Sequence, residues 1–198
     1  MKLIVGLGNP GKEYASSRHN AGFVFLDELL QNSEINFDGG DPSFRLEKKF
    51  SAEVLEAKIG SEKLILAKPQ TYMNLSGETV GKILSYYKID ISDLIVISDD
   101  LDLPVGILRV RHDGASGGQK GLQNIIDTLS DDAFTRFRIG ISESEENIPI
   151  PEVNNYVLGK IGKRAMPVLK ETIAKGINYL VEHIKGNEEI PAHTISVK

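Results

Sequence analysis

The N-terminal stretch narrows the possible folds more than any other part of the chain. Leu3-Ile4-Val5 is an apolar run that empties into Gly6-Leu7-Gly8-Asn9-Pro10-Gly11, and the pattern Phe23, Leu26, Leu29, Leu30 then begins a helix. A strand followed by a glycine loop and a helix is the unit of α/β sheets, whose sites form in the crevice beyond the strand ends. The loop between the two elements ends in Arg18-His19-Asn20, a titratable ring between polar neighbours.

The same alternation runs on through the chain. Strands are expected at 2–7, 63–68, 106–111 and 136–141, and helices at 20–31, 75–87, 119–129 and 162–185. Leu94-Ile95-Val96-Ile97 is apolar throughout and reads as a central strand buried on both faces. Asn74 fits the N-cap of helix 75–87, which carries Val80, Ile83, Leu84 and Tyr87 on one face. Helix 162–185 carries an apolar stripe that includes Leu169, Ile173, Ile177, Leu180 and Ile184. Gly60-Ser61-Glu62 signals a hairpin between strands 46–59 and 63–68. Segment 32–44 is expected to be irregular, the Glu/Asn/Pro-rich segment 143–155 a mobile loop, and the residues after Gly186 a loose tail. The fold class is α/β: one domain over 1–198, three layers α/β/α around a mixed, mostly parallel central sheet. A chain of 198 residues is long enough to bury such a core.

Composition removes several functional classes. No apolar run reaches the roughly 18 residues of a membrane span, and Met1-Lys2-Leu3-Ile4-Val5 is too short for the apolar region of a secretion signal. The absence of Cys rules out disulfides, thiolate metal sites and a Cys nucleophile, and suits a reducing, cytoplasmic setting. The four His lack metal-ligand spacing, so no metal is expected. A net charge of −5 argues against a chain coated all round for nucleic acid, yet allows a local basic patch.

Two motif matches point elsewhere. Gly6-x-Gly8-x-x-Gly11 has the spacing of a dinucleotide fingerprint, but Pro10 and the residues after it delay the helix, so no helix N-terminus would meet a pyrophosphate. Gly114-Ala115-Ser116-Gly117-Gly118 matches a nucleophile elbow, but the turn from strand to helix is too long to hold Ser116 at a sharp tip.

A different constellation is more coherent. Asp99 closes the buried strand at the edge where loop 8–19 is expected. A carboxylate there can hold one imidazole nitrogen of His19 and leave the other as a base. Asn9 and Asn74 stand at two further loop–element junctions, where a carboxamide N–H could meet a developing oxyanion, although an Asn taken alone at such a junction is more often a turn or cap residue. Arg109 with Arg111, and Arg136 with Arg138, alternate by two and so share a face of their strands. They suit either a phosphate clamp or salt bridges to the 28 acidic residues, and spacing alone does not choose between these.

Five ordered blocks together resemble bacterial-type peptidyl-tRNA hydrolase. They are Gly6–Gly11 with Tyr14 and Arg18-His19-Asn20; Lys68-Pro69-Gln-Thr-Tyr-Met73-Asn74-Leu-Ser-Gly77; Asp99-Asp-Leu-Asp-Leu-Pro104-Val-Gly106; Gly117-Gly118-Gln-Lys-Gly121; and Arg136-Phe-Arg138-Ile-Gly140. The resemblance implies a monomer that cleaves the ester between peptide and tRNA without metal or cofactor. It implies His19 as the base and Asp99 as the residue that orients it. Asn9 and Asn74 would position the substrate, Tyr14, Asn20 and Met73 would line the cleft, and Arg109, Arg111 and Arg136 would grip tRNA phosphates. Lys120 stands where the family usually has Asn, and its charge would then face the tRNA 3′ end. The segment after Ile141 is acidic where the family is often basic. A second reading is a non-catalytic RNA-binding member of the same fold, similar to plastid intron-splicing factors.

Overall fold

The computed structural model describes residues 1–37, 42–143 and 152–197. In chain order the elements are β1 Lys2–Gly6, α1 Ala21–Leu29, β2 Ile35–Asn36, β3 Arg45–Glu47, β4 Ala52–Ile59, β5 Glu62–Pro69, α2 Ser76–Tyr87, β6 Leu94–Pro104, β7 Ile107–Arg111, α3 Lys120–Leu129, β8 Thr135–Ser142, α4 Val153–Leu158, α5 Met166–Gly186 and β9 His193–Ser196. Short 3-10 turns at Arg18–Asn20 and Met73–Leu75 lead into α1 and α2.

Among the described residues the strands form one nine-stranded sheet in the order β2-β4-β5-β1-β6-β8-β7-β9, with β3 on β4. Its centre, β5-β1-β6-β8, is parallel, and both flanks are antiparallel. This is the mixed α/β arrangement expected from the alternation of patterns. The run that empties into the glycine loop is β1, paired with β5 on one side and β6 on the other.

Alternation along the central strands builds two cores. Ile4, Ile95, Ile97, Phe137 and Ile139 face α1 and α5, where they meet Phe25, Leu26, Ile173 and Leu180. Leu3, Val5, Leu94 and Val96 face the other way, onto Val80 and Ile83 of α2 and Leu122 and Ile125 of α3. Side chains on a strand switch faces at every residue, so a continuous apolar run serves helices on both sides.

Two glycines set the height of α1 against the sheet. A Cβ on Gly6 would strike the Gly22 carbonyl, and a Cβ on Gly22 would strike the Leu7 amide and the Ile97 carbonyl. Their absence lets the first turn of α1 sit against the ends of β1 and β6, which brings the preceding Arg18–Asn20 turn to the carboxyl edge of the sheet.

Four local expectations need correction. The strand expected over 46–59 is two strands, because Ser51 takes a left-handed conformation (φ 53°) and reverses the chain between β3 and β4. The loose tail after Gly186 is instead ordered through β9, which pairs antiparallel with β7 and covers its edge. Most of the expected loop 143–155 lies outside the described residues, while 153–155 open α4. Asn74 does not cap α2: it lies within the 3-10 turn, and Leu75 occupies the N-cap position.

Candidate active site

The loop after β1, residues 99–102 in the carboxyl half of β6, the Met73–Leu75 turn, the glycine turn before α3 and helix α4 enclose a cleft of about 680 Å³. Its floor carries the expected pair: His19 Nδ1 lies 2.8 Å from Asp99 Oδ2. Both are buried, with His19 9% and Asp99 3% exposed. A carboxylate on Nδ1 selects the tautomer with its proton there and leaves Nε2 as the basic nitrogen.

Asp99 is held from its other side as well. Gln119 Nε2 donates to Asp99 Oδ1 at 2.9 Å. Sequence reasoning missed this contact. The signal for it was a glutamine immediately before the first residue of a helix, where a short oxygen-bearing side chain is the usual cap. Gln119 is the N-cap residue of α3, so this bond ties Asp99 to the start of that helix.

Asn9 is oriented by the backbone opposite. Its Oδ1 accepts the Met73 N–H at 2.9 Å, which leaves the Nδ2 group as the donor it brings to the cleft. Met73, Asn74 and Tyr14 line the cleft too. Lys120 lies at the mouth, where its Nζ donates to Asn154 Oδ1 of α4 at 3.1 Å. From α4, Val153, Val157 and Leu158 add an apolar wall that sequence reasoning did not assign.

Asn20 is not among the lining residues. It is 2% exposed and lies behind the cleft, where both ends of its carboxamide bond the backbone of Asn9. The expected cleft residue is therefore a brace for Asn9.

The arginines divide. In the antiparallel register Arg109 lies opposite Arg138 and Arg111 opposite Arg136, so the four do share one face of adjacent strands. Arg136, however, is 1% exposed. Its Nη1 donates to the Gly114 carbonyl and its Nη2 to the Asp132 carbonyl, both at 2.6 Å, and the guanidinium lies 4.3 Å from the Phe134 ring centroid. Such a group is committed to holding its own loop and is not free to meet phosphate, a correction to the expected clamp. Arg138 Nε lies 2.8 Å from Asp100 Oδ2. Burial pushes the Asp100 carboxyl above its ordinary value, against the opposing pull of the Arg138 charge. Arg109 and Arg111 remain half-buried on β7.

Ser116 does not form the alternative elbow site. Its Oγ donates to Gln123 Oε1 at 2.9 Å, within the loop and the helix that follows it. Among the described residues no group of three or more His, Cys, Asp or Glu could hold a metal ion, and no helix is long and apolar enough to cross a membrane.

Comparison with known proteins gives a concordant picture. The family model described as peptidyl-tRNA hydrolase matches residues 3–196. A peptidyl-tRNA hydrolase of Desulforamulus reducens is 44% identical over 89% of this chain and 80% of its own length. That of Alkaliphilus metalliredigens is 45% identical over 88% of each. The crystal structure of peptidyl-tRNA hydrolase from Acinetobacter baumannii superposes with a TM-score of 0.82 at 32% identity, covering 94% of this chain and 89% of that one. With the family model spanning nearly the whole sequence and the His–Asp pair at the sheet edge, this chain belongs to the peptidyl-tRNA hydrolase family.

Proposed function

We propose that the chain hydrolyses the ester joining a peptide to the terminal ribose of tRNA, with His19 as general base. His19 Nε2 takes a proton from water, and the resulting hydroxide attacks the ester carbonyl carbon. The carbonyl oxygen gains the negative charge and meets the Asn9 Nδ2 donor. Collapse of the tetrahedral intermediate releases the ribose oxygen, which takes the proton back from the imidazolium. The products are a peptide acid and a tRNA with its terminal hydroxyl restored.

An ester is already activated, so these groups suffice. A positioned base contributes about 10²–10⁴-fold, and a preorganised oxyanion donor about 10²–10³-fold. Asn74, Met73 and Tyr14 line the cleft and hold the peptide portion, while Lys120 at its mouth faces the phosphates of the tRNA 3′ end. Arg109 and Arg111 bind phosphates farther along the tRNA, because their side chains stay partly exposed while Arg136 is buried and bonded to the carbonyls of its own loop. The enzyme acts as a monomer, in the cytoplasm.

The observation that carries this reading is the 2.8 Å contact of His19 Nδ1 with Asp99 Oδ2 in the cleft floor. A surface that only binds RNA has no use for that pair. The test is hydrolysis of an N-acetylated aminoacyl-tRNA. His19→Ala is expected to lower kcat by at least about 10²-fold while tRNA affinity is kept. Near-parental turnover would remove His19 as the base. A parent protein that binds tRNA without hydrolysing it would favour the non-catalytic reading.

A further inference from the structure

We propose that Gln119 is a positioning residue for the reaction: its carboxamide cannot turn over, and it therefore fixes Asp99 as an acceptor aimed at His19. The inference rests on His19 being the base in the reading above, and it concerns the group that orients the dyad rather than the dyad itself.

Every polar atom of the Gln119 side chain is engaged. Oε1 accepts the Leu122 N–H at 2.9 Å, an amide in the first turn of α3. Nε2 donates to Asp99 Oδ1 at 2.9 Å and lies 3.2 Å from Met73 Sδ. Reversing the amide would put NH₂ against the Leu122 N–H and oxygen against a carboxylate, which is repulsive at both ends. The backbone amide of α3 thus dictates that a donor faces Asp99. The residue is 8% exposed, so water does not substitute readily for either bond.

The same hydrogen bond also closes a ring around the cleft floor. His19 meets Asp99, Asp99 meets Gln119, Gln119 touches Met73, the Met73 amide bonds Asn9, and Asn9 is braced by Asn20, the chain neighbour of His19. Gln119 joins the half of the ring that carries the base to the half that carries the oxyanion donor. Among the described residues, the titratable and charged groups that line the cleft around His19 are Tyr14, Tyr72, Asp99, Asp100, Asp102 and Lys120, while α4 contributes only neutral residues to it.

Gln119→Glu separates positioning from capping. A glutamate still accepts the Leu122 N–H, but it presents a carboxylate to Asp99 in place of a donor. The proposal expects the His19 ring, followed by ¹⁵N NMR, to titrate at higher pH than in the parent. The acid limb of kcat/KM should move up with it by about one pH unit, which is roughly tenfold in rate on that limb. KM should stay within about twofold, because the substitution leaves the substrate's own partners in place. Gln119→Ala loses both bonds and should lower both kcat and the unfolding temperature. A Gln119→Glu protein whose His19 titration and acid limb coincide with the parent's would overturn the proposal, as would a Gln119→Ala protein of parental kcat. The NMR titration needs no turnover, so the two failures are distinguishable: a parent inactive on peptidyl-tRNA would sink the functional reading on which this one rests, whereas an unchanged His19 titration in Gln119→Glu beside an active parent would sink the positioning role alone.

Discussion

Asn20 Oδ1 accepts the Asn9 N–H at 2.9 Å while Asn20 Nδ2 donates to the Asn9 carbonyl at 3.0 Å, so one buried carboxamide satisfies both polar groups of a peptide segment in the active loop. Asn20→Ala leaves those groups unpaired in a buried site. The expected cost is about 1–3 kcal/mol of stability, read by urea unfolding, together with a lower kcat as Asn9 loses its position. Unchanged stability in Asn20→Ala would show that solvent reaches the Asn9 backbone.

Asn9 can be tested without disturbing its anchor. Asn9→Asp keeps an oxygen for the Met73 N–H but has no donor for an oxyanion. Steady-state kinetics should show kcat lower by about 10²–10³-fold at little cost in stability. If kcat fell by less than about threefold, another group would have to carry the developing charge.

Arg136 and Arg111 lie opposite each other on β8 and β7, yet their substitution should have different consequences. Arg136→Ala removes the donor to the Gly114 and Asp132 carbonyls, so it should lower the unfolding temperature and leave the salt dependence of tRNA binding as it is. Arg111→Ala should instead weaken tRNA binding and reduce the slope of log affinity against log salt by about 0.7–0.9 for each phosphate left without its cation. Equal salt slopes in parent and Arg111→Ala would remove Arg111 from the tRNA interface.

Tyr87 provides an alkaline signature unrelated to catalysis. Burial, reinforced by its 3.0 Å hydrogen bond to Glu56 Oε1, pushes its hydroxyl up to about 12. A pKa raised on folding gives stability that is fully present below the unfolded-state value near 10 and is lost as pH rises through the folded value. Stability should therefore decline between about pH 10 and 12, and Tyr87→Phe should flatten part of that decline in pH-dependent thermal unfolding. An identical alkaline profile in the two proteins would contradict this account.

Much of the architecture was legible because it rests on periodicity. Leu94–Ile97 is apolar at every position and becomes the strand between two helical layers, and the spacing of Ile173, Ile177, Leu180 and Ile184 becomes the buried stripe of α5. Two short strands had no such signal: β2 and β9 carry only a few residues each and depend on partner strands for their existence. The arginines show the limit of periodicity in another way. Alternation correctly put Arg109, Arg111, Arg136 and Arg138 on one face, but it could not reveal that the Gly114 and Asp132 carbonyls close over one of them.

His19, Asp99, Asn9 and Asn74 could be named from the chain alone, because their types suit ester hydrolysis and each was expected where a strand or helix meets a loop, although β6 runs on past Asp99 to Pro104. Which way each side chain turns was settled elsewhere. Asn20 faces the Asn9 backbone instead of the cleft, and Gln119 faces Asp99 because the Leu122 amide claims its oxygen. Local pattern governs which elements form, since strand and helix periods are properties of neighbouring residues. The partner of a buried polar atom is set by whichever distant groups the packed sheet brings within about 3 Å of it, and that proximity has no counterpart along the sequence.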